Sequence, residues 1–189
     1  RKIIQVLAEF QNPASITTKG VLVRRDVDVL WDLYRVADAQ VIFSVGSIDE
    51  KTWNLTEPGT PNPIARLEAM QFLVENGIPA GVMMAPLIPG ISDSSESIDT
   101  VMEAAAQHKA GFVSANLLFL KPGSKEWFMP LIRESYPQLM PGYQKLFGFK
   151  NYAPHDYTKQ VLGIVDDARH KWELPSACPP REFKGPQGQ

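Results

Sequence analysis

The chain has 189 residues, of which 44% are apolar and 21% charged, and its formal net charge is −2 at pH 7. This composition is typical of a globular protein with a sizeable core. The slightly acidic balance gives no overall basic field of the kind that marks many nucleic-acid-binding domains. Because no apolar stretch approaches the ~20 residues that span a membrane, we expect no membrane association.

Cys178 is the single cysteine. One thiol can form neither an internal disulfide nor a cysteine-based metal site within the chain, and this usage fits a reducing cytoplasm. We therefore expect a cytoplasmic protein. The chain opens on Arg1-Lys2-Ile3-Ile4 rather than on Met, which predicts that an N-terminal part is missing.

Short apolar segments alternate with amphipathic ones along the chain. After a helical opening at 1–10, strands are predicted at 15–19, 41–47, 80–90 and 112–120, and helices at 26–39, 62–77, 93–111 and from 124 onward. Asp93 and Glu96 have the spacing of a capping box at the start of the third of these helices. Pro130 is expected to kink or interrupt the fourth.

Four successive strand–helix units predict an α/β fold with parallel strands joined by right-handed crossovers. Both an open doubly wound sheet and a (β/α) barrel fit this pattern. After about residue 137 the periodicity weakens, and we expect short helices and loops there. The segment 178–189 is rich in proline, glycine and charge, which favours an extended tail.

Polar and turn residues follow the predicted strands. In parallel α/β folds the carboxyl ends of the strands carry the chemistry. Lys19 ends the first strand and shares a face with Thr17, Ser44 ends the second, and a proline-rich segment at 85–90 ends the third. A cation, hydroxyl groups and an apolar loop suit a ligand with a carboxylate, hydroxyls and a flat ring. The alternative is that Lys19 is a solvated surface residue and 85–90 only a turn.

The segments ITTKGVLVRRD, VIFSVGSIDE, EPGTPNPIARL, APLIPG and LLFLKPGSKEWF follow one another within residues 1–150. In this order they resemble the radical SAM superfamily, in the branch akin to spore photoproduct lyase and labelled DNA repair photolyase-like. The resemblance implies a partial (β/α)6 TIM-like barrel with about four βα units. Residues 1–150 would be the C-terminal part of the core barrel, and 151–189 a helical or extended C-terminal extension.

The resemblance also implies a lyase-like enzyme that uses S-adenosylmethionine (SAM) and a [4Fe-4S] cluster. The reduced cluster would cleave SAM reductively to yield a 5′-deoxyadenosyl radical, with electrons from a reductant such as flavodoxin or ferredoxin. The iron–sulfur chemistry belongs to the cofactor, which the protein positions and shields. Kinship of fold does not establish the substrate, and net charge gives no support to a nucleic-acid partner.

The resemblance assigns a set of residues to SAM. Lys19 would contact the methionine carboxylate, and Ser44 and Ser47 would approach the ribose or the amino-acid part. Glu57 and Arg66 would form a pair that closes over the cofactor, with a plain surface ion pair as the alternative. Asn116 would line the barrel or satisfy a core polar group. The full implied set is Thr17, Lys19, Ser44, Ser47, Glu57, Arg66, Ala85, Pro86, Leu87 and Ile88, the last four flanking the adenine.

Two family features are absent from the sequence. The C-x3-C-x2-C loop that holds the cluster and the glycine-rich GGE-type segment have no counterpart here. The chain is therefore expected to supply four of six strands and to be inactive alone, with the cluster-binding half missing or present as a separate chain. Two other functions stay open: a Schiff-base aldolase or lyase with Lys19 as nucleophile, and a non-catalytic or degenerate barrel half.

Overall fold

A computed structural model describes residues 1–179 as alternating helices and strands. The strands are β1 (Ala14–Thr18), β2 (Ala39–Ser44), β3 (Ala80–Leu87) and β4 (Val113–Leu117). The helices are α1 (Lys2–Glu9), α2 (Val27–Val36), α3 (Glu50–Thr56), α4 (Pro63–Glu75), α5 (Ser95–Gln107), α6 (Ser124–Ser135), α7 (Met140–Phe147) and α8 (His155–Lys171). Short 3-10 turns lie at Val21–Asp26 and Pro137–Leu139.

The four strands form one parallel sheet in the order β1-β2-β3-β4. Each strand is therefore the neighbour of the next one along the chain. Right-handed crossovers between such strands carry the connecting helices to the same face of the sheet, as in a (β/α) barrel. A doubly wound sheet reverses its strand order instead. The structure thus confirms the α/β fold with part of a TIM-like barrel and decides between the two predicted architectures.

The two faces of the sheet have different surroundings. On the helix side, Val41, Phe43 and Val82 are 0% exposed and pack with Leu67 and other apolar residues of α2, α4 and α5. These alternate strand positions build the main core, because successive side chains of a strand point to opposite faces.

The opposite face is more polar and more open. Thr17 of β1 and Asn116 of β4 are exposed there, whereas Ile42 and Met83 are half-buried. In register, Thr17 lies opposite Ile42, and Ser44 lies opposite Met83. This face leads to the carboxyl ends of the strands, where the candidate site lies.

A second, smaller apolar cluster lies beyond the carboxyl ends of β3 and β4. It contains Ile88, Leu118, Leu120, Phe128, Ile132, Tyr143 and Phe147. The predicted strands extend too far at their carboxyl ends because Ile88, Leu118 and Leu120 pack into this cluster instead of continuing the sheet. The cluster ties α6 and α7 to the loops that follow the strands.

Several local predictions need correction. The capping box at Asp93 is wrong: Ser94 is the N-cap of α5, and its hydroxyl accepts from the Ser97 amide at 3.2 Å. Pro130 neither interrupts nor ends α6, which continues to Ser135. Helix α3 has no counterpart among the predicted elements, although Asp49 caps it by accepting from the Thr52 amide at 2.7 Å.

The region after residue 137 is more regular than predicted. Helix α8 has 17 residues, and its buried Val161, Val165 and Ala168 belong to the main core. Of the predicted tail at 178–189, residues 180–189 lie outside the part of the chain that the structure describes. Within residues 1–179, no helix is both long enough and apolar enough to cross a membrane.

Candidate functional site

A cleft of about 760 Å³ opens at the carboxyl ends of the strands. Every strand contributes to it, either directly or through the loop that follows. Among the predicted site residues, those that line the cleft are Lys19, Ser44, Glu57, Ala85, Pro86 and Ile88. Positions far apart along the chain are thus brought to one cavity, because parallel strands end at the same edge of a sheet.

The charged end of the cleft is formed by Lys19 and Glu57. The Lys19 Nζ atom lies 3.6 Å from Glu57 Oε1, and the Lys19 side chain is 37% exposed. Glu57 is more buried, with 13% of its side chain accessible. The lysine therefore has an anionic partner within the protein and still faces the cleft, where it can meet the carboxylate of a ligand.

Arg66 lies behind Glu57 and is completely buried. Its Nη2 atom contacts Glu57 Oε2 at 2.7 Å and the Thr60 hydroxyl at 2.6 Å. Nη1 donates to the Ser44 carbonyl at 2.8 Å, and Nε donates to the Pro61 carbonyl at 2.8 Å. The surface ion pair considered for Glu57 and Arg66 is therefore wrong. Because buried charges need such partners, Arg66 fixes both the 57–61 loop and the end of β2.

The end of β2 lies against the end of β3. A Cβ atom added to Gly46 would come within 2.5 Å of the Pro86 carbonyl oxygen, which is too close for any other side chain. Glycine at position 46 thus allows the two backbones to approach. This approach places Ser44, which is buried and lines the cleft, beside the apolar wall formed by Pro86 and Ile88.

The apolar wall is held in place by hydrogen bonds of its own loop. The Ile88 amide donates to the Ser92 hydroxyl at 2.9 Å, and the Ile88 carbonyl accepts from the Ser92 amide at 3.0 Å. The Leu87 carbonyl accepts from the Leu118 amide at 2.9 Å. These backbone groups already have partners, so the wall offers a ligand chiefly its apolar side-chain surface.

Four residues of the predicted set do not line the main cleft. Thr17 is exposed on the open face of the sheet, Leu87 is fully buried, and Arg66 is buried behind Glu57. Ser47 lines a much smaller adjoining pocket, and its hydroxyl accepts from the Asp49 amide at 3.1 Å.

The outer part of the cleft contains aromatic residues that are not among the predicted site residues. Trp127 and Phe119 line it and are 54% and 49% exposed, respectively. Asn116 lines it as well, and its amide lies 3.6 Å from the Met83 sulfur. Large aromatic residues at the end of a predicted strand and in the segment after it are the sequence signal that could have identified this region.

The residues present fit SAM but not an iron–sulfur cluster. The cleft combines a lysine, a buried serine and an apolar wall, which suit a carboxylate, a ribose and an adenine. Within residues 1–179, no three His, Cys, Asp or Glu side chains are grouped to hold a metal ion. Cys178 lines a different cavity, beside Asp38 at the amino ends of the strands, where burial raises the pKa of its thiol.

No family model matches the chain. Its sequence is 31% identical over 172 residues to an uncharacterized protein of Mycobacterium tuberculosis, covering 91% of this chain and 51% of that protein. It is 29% identical over 137 residues to the uncharacterized ORF301 of Acidianus two-tailed virus, covering 71% of this chain and 45% of that protein. The chain thus spans about half the length of these curated relatives.

Solved structures of spore photoproduct lyase share the fold. A mutant of that enzyme with bound AdoMet and dinucleoside spore photoproduct aligns with a TM-score of 0.66 at 16% identity, over 90% of this chain and 52% of that one. The lyase complexed with dinucleoside spore photoproduct aligns with a TM-score of 0.64 at 18% identity, with the same coverage. The chain therefore has the fold of one half of spore photoproduct lyase.

Proposed function

We propose that this chain is the SAM-binding part of a radical SAM enzyme and that its cleft holds SAM. The observation that carries the proposal is the joint placement of Lys19, Ser44, Pro86 and Ile88 in one cleft at the carboxyl ends of parallel strands. The likeness to a lyase structure that contains AdoMet supports it. Bound SAM would supply a 5′-deoxyadenosyl radical for hydrogen abstraction from a substrate, since one-electron reduction of its sulfonium breaks the bond between sulfur and the 5′ carbon and releases methionine.

Each side chain has a distinct task in this proposal. Lys19 pairs with the methionine carboxylate of SAM, and its contact with Glu57 is partly replaced by this new ion pair. Ser44 approaches the ribose, where its hydroxyl can both donate and accept. Pro86 and Ile88 flank the adenine and exclude water from one face of it. Arg66 holds Glu57 and the Ser44 carbonyl in position without touching the ligand.

The iron–sulfur cluster does not fit the described residues. Its ligands would come from a further segment or a second chain, together with the site for a reductant such as flavodoxin or ferredoxin. Radical formation is accordingly a property proposed for the complete enzyme, whereas the binding of SAM is proposed for the cleft of this chain.

The substrate belongs in the outer part of the cleft, beyond the SAM-binding wall. Asn116, Phe119 and Trp127 offer a polar amide and two aromatic surfaces there. These groups suit a substrate with a planar apolar part. A photoproduct-lyase-like activity on DNA is one form of the proposal, and an assay with ultraviolet-irradiated oligonucleotides tests it separately from SAM cleavage.

The Schiff-base alternative has less support. Nucleophilic lysines are activated by apolar surroundings or by a second cation, whereas Lys19 has the Glu57 carboxylate as its neighbour. Borohydride reduction in the presence of carbonyl substrates would trap an adduct on Lys19 if this alternative held.

The decisive experiment uses the full-length protein, meaning this chain together with the segment or second chain that supplies the cluster ligands. It is reconstituted anaerobically with iron and sulfide and reduced with dithionite. We expect 5′-deoxyadenosine and methionine to accumulate when SAM is added. A reconstituted protein that binds SAM but forms no 5′-deoxyadenosine would contradict the radical function. A protein that fails to bind SAM would favour the non-catalytic barrel half.

A further inference from the structure

The loop that contributes Ile88 to the apolar wall of the cleft is hydrogen-bonded to two helices that lie far away in the sequence. This loop consists of residues 88–93, between β3 and α5. The Tyr157 hydroxyl, in the first turn of α8, donates to Asp93 Oδ2. The Tyr143 hydroxyl, on α7, donates to the Pro89 carbonyl at 2.9 Å. Two phenols thus bond to the same short loop.

Asp93 connects one of these phenols to the loop backbone. Its Oδ1 atom accepts from the Gly90 amide at 2.7 Å, while Oδ2 receives the Tyr157 hydroxyl. The Asp93 residue is only 8% exposed, so both bonds form with little competition from water. Gly90 itself has a φ of +71°, and a Cβ atom there would lie 3.0 Å from Leu139 Cδ2. The positive φ at position 90 therefore favours glycine, because other residues rarely adopt this backbone conformation.

The two helices are themselves well anchored. Helix α8 packs Val161 and Val165 into the main core, whereas Tyr143 of α7 is 2% exposed within the second cluster. Burial raises the pKa of both phenols above their ordinary value. A phenol with the ordinary pKa of about 10 is already protonated at neutral pH, and the raised pKa keeps both hydroxyls able to donate in more alkaline solution as well.

We propose that Tyr143 and Tyr157 are positioning residues: their hydroxyls hold the 88–93 loop in the conformation that presents Pro86 and Ile88 to the adenine end of the cleft. The proposal rests on the proposed function for the identity of the ligand. It gives the segment after β4 a role in SAM binding, although neither tyrosine lines the cleft.

The test combines amide hydrogen exchange with SAM binding in the reconstituted full-length protein. Tyr157→Phe removes one hydroxyl and keeps the ring, and Tyr143→Phe does the same at the second contact. Tyr136→Phe is the matched control. The Tyr136 ring packs against the same second cluster, but no hydrogen bond within residues 1–179 joins its hydroxyl to this loop.

We expect each of the two variants to raise exchange at residues 88–93 and to weaken SAM binding by about tenfold, the effect of losing one buried hydrogen bond to a charged or carbonyl acceptor. The KM for SAM should rise while kcat stays close to that of the wild type, which a general loss of folded protein would not produce. In both variants, amide exchange in β1 and β2 should stay as in the wild type. In Tyr136→Phe, amide exchange at residues 88–93 and SAM affinity should also stay as in the wild type.

Unchanged exchange at 88–93 in both variants would overturn the proposal, and so would raised exchange with unaltered SAM affinity. If the wild-type protein itself fails to bind SAM, the proposed function fails. In that case, amide exchange at residues 88–93 still tests the loop contacts: raised exchange in the two variants supports them, and unchanged exchange contradicts them.

Discussion

At the scale of single residues, the buried guanidinium of Arg66 organises the site. It directs its donors to Glu57, Thr60, and the carbonyls of Ser44 and Pro61. The sequence predicts a pairing of Glu57 with Arg66 but does not indicate whether that pair is buried. Arginine is mostly exposed in proteins, and two of its four partners here are backbone carbonyls, which leave no trace in a sequence pattern.

Replacing Arg66 by methionine should destabilise the protein strongly. The substitution keeps an unbranched side chain but leaves Glu57 Oε2 and the Ser44 carbonyl without the Arg66 donors, and Lys19 remains the partner of Glu57 at Oε1 only. Breaking one partner of a buried pair costs about 3–5 kcal/mol in unfolding free energy. Urea denaturation measures this cost, and Lys109→Met, which removes the exposed pair with Glu75, should leave the midpoint unchanged. A similar midpoint for both variants would contradict the role given to Arg66.

The contact between Gly46 and Pro86 gives a second prediction at this scale. Alanine at position 46 would place its Cβ 2.5 Å from the Pro86 carbonyl oxygen, so the wall of the cleft must shift. Overpacking of this kind costs about 1–3 kcal/mol. Gly163→Ala on α8 is the control, because no atom lies within 4 Å of its added Cβ, and its stability should rise by about 0.5–1 kcal/mol. Equal melting temperatures for the two variants would show that the backbones separate freely.

At the scale of elements, the expectation that functional residues lie at the carboxyl ends of parallel strands predicted several of the residues that line the cleft. The positions of Lys19, Ser44, Pro86 and Ile88 follow from where apolar runs end, since parallel strands bring these ends together. The role of Asp93 could not be predicted, because its partner Tyr157 is 64 residues away. The sequence predicts only short helices in the region of α8, because most of the residues of this helix are polar. Its buried residues Val161, Val165 and Ala168 nevertheless recur at helical spacing.

The packing of α8 on α5 predicts a dependence on pH. Asp99 accepts from Lys171 Nζ at 2.7 Å and from Trp172 Nε1 at 2.8 Å, and these bonds lower the pKa of its carboxyl below the usual value of 3.8. A depressed pKa in the folded state contributes stability above the unfolded value, and this contribution is lost as the pH falls through the folded-state pKa.

The unfolding free energy of the wild type, measured in urea from pH 7 to pH 3, should therefore exceed that of Asp99→Asn by a constant amount near neutral pH. The difference should shrink below about pH 4. A difference that grows on acidification would show that the carboxylate is not stabilised by Lys171 and Trp172.

At the scale of the whole molecule, the described part of the chain leaves two surfaces uncovered. Within residues 1–179, β1 pairs with β2 alone, so one of its edges is open. In the same part of the chain, α1 and the residue after it expose Ile3, Val6 and Phe10 at 77%, 51% and 68%. An open strand edge and an exposed apolar helix face both favour association.

We therefore expect the 189-residue chain alone to self-associate as its concentration rises, which sedimentation velocity measures. Substituting lysine for Val6 and Phe10 should reduce this association without unfolding the protein, because both side chains are exposed. A chain that stays monomeric at high concentration and melts in one sharp transition would contradict this expectation.

The binding of SAM through the charged end of the cleft is tested most directly by the affinity of Lys19→Ala. Titration calorimetry of SAM into the reconstituted full-length protein should show binding weakened by about 10–100-fold, the loss of one charge-assisted contact. The melting temperature should barely change, because Lys19 is partly exposed. Lys109→Ala, which lies outside the cleft, should bind as the wild type does. SAM affinity unaltered in Lys19→Ala would contradict the proposed site.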